Sequence, residues 1–254
     1  MSLLDFEGFL LFSISLVLLI FAQKLLQREI QILLLLLTGN TNLSIGIFSI
    51  LVFPGVFIHE LSHFLLAILL KVPVLKISLI PEVSKKGKIR LGFVQTAKSD
   101  VIRDSLIGLA PFIVGLLLLA IIGKTLFGIE DLASQSIIQF GQILIQQTRN
   151  LPTVPDFGIW IYIAFAISTT MIPSESDRQS WNLILFVIGL VLVIVFISGL
   201  GSWMMTRVYP TLNNGLVSLG FIISGSLVIH MLFFIPVWIF RLIIQTLTGY
   251  RVAK

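Results

Sequence analysis

Residues 43–70 read LSIGIFSILVFPGVFIHELSHFLLAILL. A helical span takes about 20 apolar residues, so the run is long enough to enter a bilayer. It carries three ionisable side chains, His59, Glu60 and His63, close together in its second half. Ionisable groups inside an apolar span are costly and mark function by default. The rest of the chain is of the same kind. Of its 254 residues 57% are hydrophobic and 11% charged, where soluble domains carry about 25% charged residues. A water-soluble domain of this size cannot bury so much apolar surface. Composition therefore excludes one and predicts an all-α polytopic membrane protein.

Outward from this run, further apolar segments fall at 9–22, 106–122, 158–172, 183–197 and 216–240. Together they predict about six transmembrane helices in a single integral membrane domain, residues 1–254. A short run at 30–37 cannot span alone; it is either a continuation of the first helix or a re-entrant or interfacial piece. The start of the chain has Asp5 and Glu7 and neither Lys nor Arg before Lys24. That is not the pattern of a cleaved secretory signal, so the first apolar stretch is expected to stay. There is no cysteine, which removes disulfides, thiolate ligands and cysteine nucleophiles from consideration.

Between residues 72 and 97 the period changes. Leu75, Ile77 and Leu79 alternate with Lys76 and Ser78, and Ile89, Leu91 and Phe93 resume the alternation after Ser84-Lys85-Lys86-Gly87. Period two around a glycine-containing turn predicts a small β-hairpin, with an amphipathic loop on lipid headgroups as the alternative. The basic residues gather here: Lys71, Lys76, Lys85, Lys86, Lys88, Arg90, Lys98 and Arg103. The positive-inside rule makes this loop cytoplasmic and suggests a cell or inner membrane. The net charge of +5 is accounted for by such loops, and no nucleic-acid partner is expected. On the other side, Gln135, Gln139, Gln142 and Gln146 recur at helical spacing. They predict an amphipathic helix at the membrane surface, or a plain polar connector.

The chemistry lies in His59-Glu60-Leu61-Ser62-His63. Positions four apart share a helix face, roughly 6 Å apart, so both imidazoles can bind one metal ion. Glu60, about 100° further round the helix, stands beside the ion as a general base for water. This is the metalloprotease H-E-x-x-H arrangement. A chance match in a chain of this length is on the order of one in a hundred. A catalytic zinc takes three protein ligands and keeps one position open. Asp177 is the preferred third ligand, because Pro173-Ser174 ahead of it breaks the helix near the cytoplasmic end, the half that also holds His63. His230, the only other histidine, is the alternative, and Glu175 a weaker one.

The H-E-x-x-H motif in a span, the basic cytoplasmic hairpin, a further span and a Pro-containing segment ending in Asp together resemble the site-2 protease family of intramembrane zinc metalloproteases. The resemblance covers roughly residues 43–182. It implies Zn²⁺ as cofactor, His59, His63 and Asp177 as its ligands and Glu60 as the catalytic base. It also implies hydrolysis of a peptide bond in a transmembrane protein substrate, within the lipid bilayer and near the cytoplasmic face. The chain departs from the family pattern in Arg178, where glycine usually follows the aspartate. It departs again in Val114, where Ala110-Pro111-Phe112-Ile113-Val114 lacks the family asparagine, and so reads as a divergent member. Two other classes use the same residues: a metal- or proton-binding membrane transporter, and a non-catalytic protease-like assembly factor. The first predicts flux rather than cleavage; the second predicts indifference to Glu60→Gln.

Overall fold

A computed structural model describes residues 6–83, 89–127, 141–142 and 155–249. The described residues form seven helices and a short antiparallel hairpin. Helix α1 (Glu7–Thr38) opens with Glu7 in its first turn, where a negative charge suits the helix dipole. It is unbroken to Gly39, whose left-handed backbone closes it with an N–H to the Leu35 carbonyl. The short run at 30–37 is thus the end of the first helix.

The segment at 43–70, expected as one span, is two helices. Asn40 caps α2 (Thr41–Leu51) by accepting from the N–H groups of Asn42 and Leu43. At Val52 the axis bends by 70° into α3 (Phe53–Leu69). Pro54 in the first turn of α3 explains the break, since it has no N–H to continue α2 and its fixed φ suits a new helix start.

In the hairpin, β1 (Val74–Ser78) pairs with β4 (Phe93–Thr96), placing Ile77 opposite Val94, with an irregularity between Val74 and Lys76. Further out, β2 (Glu82–Val83) pairs with β3 (Ile89–Arg90); the tip at 84–88 lies outside the described residues. The apolar alternation does not bury a face as period two suggests. Leu75 and Ile77 stay exposed, because a two-stranded ribbon has no core of its own.

Asp100 accepts from the N–H groups of Ile102 and Arg103 and so opens α4 (Val101–Phe127), which carries Pro111 within it. Helix α5 (Phe157–Thr170) stops short of Pro173. Helix α6 (Trp181–Ile197) buries no residue. Helix α7 (Gly201–Thr248) contains a π-helical stretch at Met204–Val208. Of the surface helix expected over 135–146, only Gly141 and Gln142 are described.

Each predicted apolar segment falls on a helix. Three helices, α1, α4 and α7, are long and apolar enough to cross a membrane, or four spans if the bent α2–α3 pair is one; α5 and α6 are apolar but have 14 and 17 residues. This makes the chain a multi-pass membrane protein by length and composition. One buried cluster holds Leu19, Leu116, Leu119, Ile161, Ile167 and Ile223, tying α1, α4, α5 and α7 together. A second joins α1, α2, α3 and α5 through Leu26, Phe48, Val52, Val56 and Phe165. Helices α1 and α7 run side by side in the same direction. The Gly8 N–H meets Asn213, the Ser15 hydroxyl meets Ser224, and Glu29 pairs with Arg241. Glycines let α3 and α4 close in on α5 and the turn after it: a Cβ on Gly55 would collide with the Ala166 carbonyl, and one on Gly115 with Met171.

Candidate metal centre

His59 and His63 lie one turn apart on α3 with ring centroids 4.8 Å apart and edge to face. Each ring is fixed from behind by a backbone carbonyl. His59 Nδ1 is 2.7 Å from the Thr170 oxygen, and His63 Nδ1 is 2.8 Å from the Ile107 oxygen. A carbonyl only accepts, so both Nδ1 atoms carry the proton, and in the neutral rings both Nε2 atoms present lone pairs. Those two Nε2 atoms face each other at 3.2 Å. The Asp177 carboxylate completes the group, with Oδ2 3.8 Å from His59 Nε2 and Oδ1 3.5 Å from His63 Nε2.

Three acceptors therefore converge, all within 4.8 Å of one another. Lone pairs set this close repel unless a cation lies between them. A tetrahedral zinc with bonds of about 2.0–2.1 Å puts its ligand atoms about 3.3–3.4 Å apart, close to the separations seen here. The donor set fits as well: two neutral imidazoles held through their other nitrogen, and one carboxylate. These residues could hold a divalent metal ion. No family model, curated protein or solved structure matches the chain. The chemistry of the site therefore rests on its own residues.

Asp177 is delivered by the break after α5. Pro173 offers no N–H, and the Ser174 N–H turns away from the helix to the Asp177 carboxylate at 2.7 Å. Gly108 of α4 lies against the Asp177 backbone, where a Cβ would collide with its carbonyl. Burial by itself would raise the Asp177 carboxyl. The Ser174 N–H works against burial by donating to the charged form. The C-terminal end of α5, with its partial negative charge, also points at the site and favours a cation there.

Glu60 is buried and interacts electrostatically with both His59 and Asp177. Its partner is the hairpin: the Val94 backbone amide hydrogen-bonds its carboxylate. Gly92 lets β4 come this near, since a Cβ there would lie 3.0 Å from Val56 Cγ1 and 3.1 Å from Glu60 Cγ. The hairpin therefore forms one wall beside Glu60. In an antiparallel ladder, facing residues either exchange both hydrogen bonds or turn both sets outward. With the Val94 amide turned to Glu60, the N–H and C=O of its opposite number, Ile77, point to the other edge of the ribbon.

His230 does not join the group. It is fully buried between α7 and α5, with Nδ1 2.9 Å from the Ser226 carbonyl and Nε2 3.3 Å from the Thr169 hydroxyl. Glu175 is exposed on the turn and is not among the converging ligands. Sequence reasoning did not find the carbonyls of Thr170 and Ile107, because a backbone oxygen has no signature in the residue string. Gly108 did leave one: glycine inside an apolar helix is unfavourable without a close backbone approach to explain it.

Proposed function

We propose that this chain is an intramembrane zinc metalloprotease, a divergent member of the site-2 protease family, cleaving transmembrane protein substrates. The single observation that carries the reading is the convergence of His59, His63 and Asp177 from two distant stretches of sequence, with the Glu60 carboxylate beside them. An ion held by these three ligands would supply a Lewis acid for the scissile carbonyl and lower the pKa of a water. Every other part belongs to the chain. Thr170 and Ile107 orient the imidazoles. Glu60 takes the proton of the attacking water and returns it to the leaving amide nitrogen. The Val94 amide holds Glu60 in place.

A helical substrate must unwind first, because its scissile amide is hydrogen-bonded within the helix. The outward N–H and C=O of Ile77 offer the unwound segment a strand to pair with.

The test is metal analysis of the detergent-purified chain together with a cleavage assay on single-span substrates. The expected result is about one Zn²⁺ per chain, lost in His59→Ala and in His63→Ala. Glu60→Gln should keep the metal and lose cleavage. A chain without transition metal, or an active Glu60→Gln variant, sinks the mechanism.

A further inference from the structure

The end of α5 carries a second layer of contacts around the metal centre. Where a helix stops, its last carbonyls lose their intrahelical donors. Pro173 has no N–H to give Thr169, and the Ser174 N–H has gone to Asp177 instead of Thr170. Three consecutive carbonyls are each met by a side chain from another helix. Gln23 Nε2 of α1 donates to Ser168, Gln27 Nε2 of α1 donates to Thr169 at 3.4 Å, and His59 Nδ1 of α3 donates to Thr170. Gln23 is 5% exposed, and a buried amide in an apolar helix is costly unless its hydrogen bonds are made.

We propose that Gln23 and Gln27 are positioning residues for the metal centre. They clamp the last turn of α5 so that the Thr170 carbonyl meets His59 Nδ1, and His59 Nε2 is left as a lone pair aimed at the ion. The clamp has a firm anchor. Helix α1 is itself fixed along α7 at Gly8, Ser15 and Glu29. The height of the two glutamines is thereby set independently of the site they serve. Without them, the Ser168 and Thr169 carbonyls must find other donors, the turn shifts, and Thr170 no longer dictates the His59 tautomer. The catalytic meaning of the role rests on the protease reading; the tautomer itself does not.

The test uses the full chain in detergent with isotope-labelled histidine nitrogens. There are only three histidines, so each signal is assigned by removing one histidine at a time. Metal-free protein, well above the imidazole pKa, should show His59 protonated at Nδ1. Gln23→Met combined with Gln27→Met should turn this into a mixture with the Nε2-protonated form. Co²⁺ affinity should fall about tenfold, as for other outer-shell partners, with a shifted Co²⁺ absorption spectrum. Ser198→Ala, which removes an exposed hydroxyl bonded to the Val195 carbonyl at the end of α6, away from α1 and α5, should leave both readouts as in the parent. Should the double variant fail to fold, Gln27→Met alone should move both readouts in the same direction.

Unchanged His59 tautomer and Co²⁺ affinity in the glutamine variants overturn the proposal. A parent chain that binds no Co²⁺, yet whose His59 tautomer depends on the glutamines, refutes the protease reading and leaves the clamp standing.

Discussion

Gly108→Ala tests the site through a single methyl group. The new Cβ would sit 3.0 Å from the Asp177 carbonyl carbon and 3.4 Å from its Cα, with the carbonyl oxygen closer still. That oxygen is backbone and cannot swing aside, so the turn must retreat by on the order of 1 Å in an interior without slack. Metal–ligand distances tolerate only about ±0.2 Å. Disturbing the support behind a metal ligand costs up to about 100-fold in metal affinity, or ~2.7 kcal/mol. The opposite effect also has a size: alanine in place of glycine within a helix stabilises it by about 1 kcal/mol. The two outcomes are therefore opposite in sign. Zinc affinity is read by competition with a chelator, and stability by thermal melting of the metal-free protein. The close approach predicts a large loss of affinity and no gain in melting temperature. A variant with unchanged zinc affinity and a raised melting temperature would refute it, because α4 would then have room that the Asp177 turn does not fill.

Asp177→Ala should strip most of the zinc, while His230→Ala should leave most of it and lower the melting temperature instead, since His230 is fully buried away from the ligands; metal content and melting curves separate the two. Ile77→Pro should leave zinc in place and reduce cleavage, because the N–H it removes points away from β4; full cleavage in this variant would end the substrate-pairing role. Enlarging Gly55 to leucine should push α3 away from Ala166 and cost zinc affinity and stability together, visible as a lower melting temperature even in metal-free protein.

What the sequence made legible follows from periodicity. The spacing of His59 and His63 fixes two candidate ligands on one helix face, and Pro173 marks where the chain leaves α5, which is how Asp177 comes into reach. Apolar runs located the helices, and the alternation around 72–97 located the hairpin. The 70° bend at Val52 was hidden because an apolar run has the same composition whether or not its axis is straight, although Pro54 stood at the break. The layer behind the ligands was illegible for a different reason. Thr170 and Ile107 act through their carbonyls, and Gln23 and Gln27 look like any polar residues in an apolar helix until α5 is seen to end beside them. The exposed Leu75 and Ile77 show the converse error: alternation signals a strand without saying that anything covers it.

The side-by-side run of α1 and α7 carries a parity. Two rods that travel in the same sense enter a bilayer from the same face, so the polypeptide joining them must come back a net single time. The crossings then total an odd number, which departs from the six expected from the apolar runs, and the start of α1 and the end of α7 look out on opposite faces. The positive-inside expectation for the loop at 71–103, with the bent α2–α3 pair turning back on the cytoplasmic side, places the start of α1 outside and the last turn of α7 inside. The cysteine-free chain is already a blank background for reading this. Glu7→Cys should react with a membrane-impermeant thiol reagent added to intact cells, and Thr248→Cys should react only once the membrane is opened.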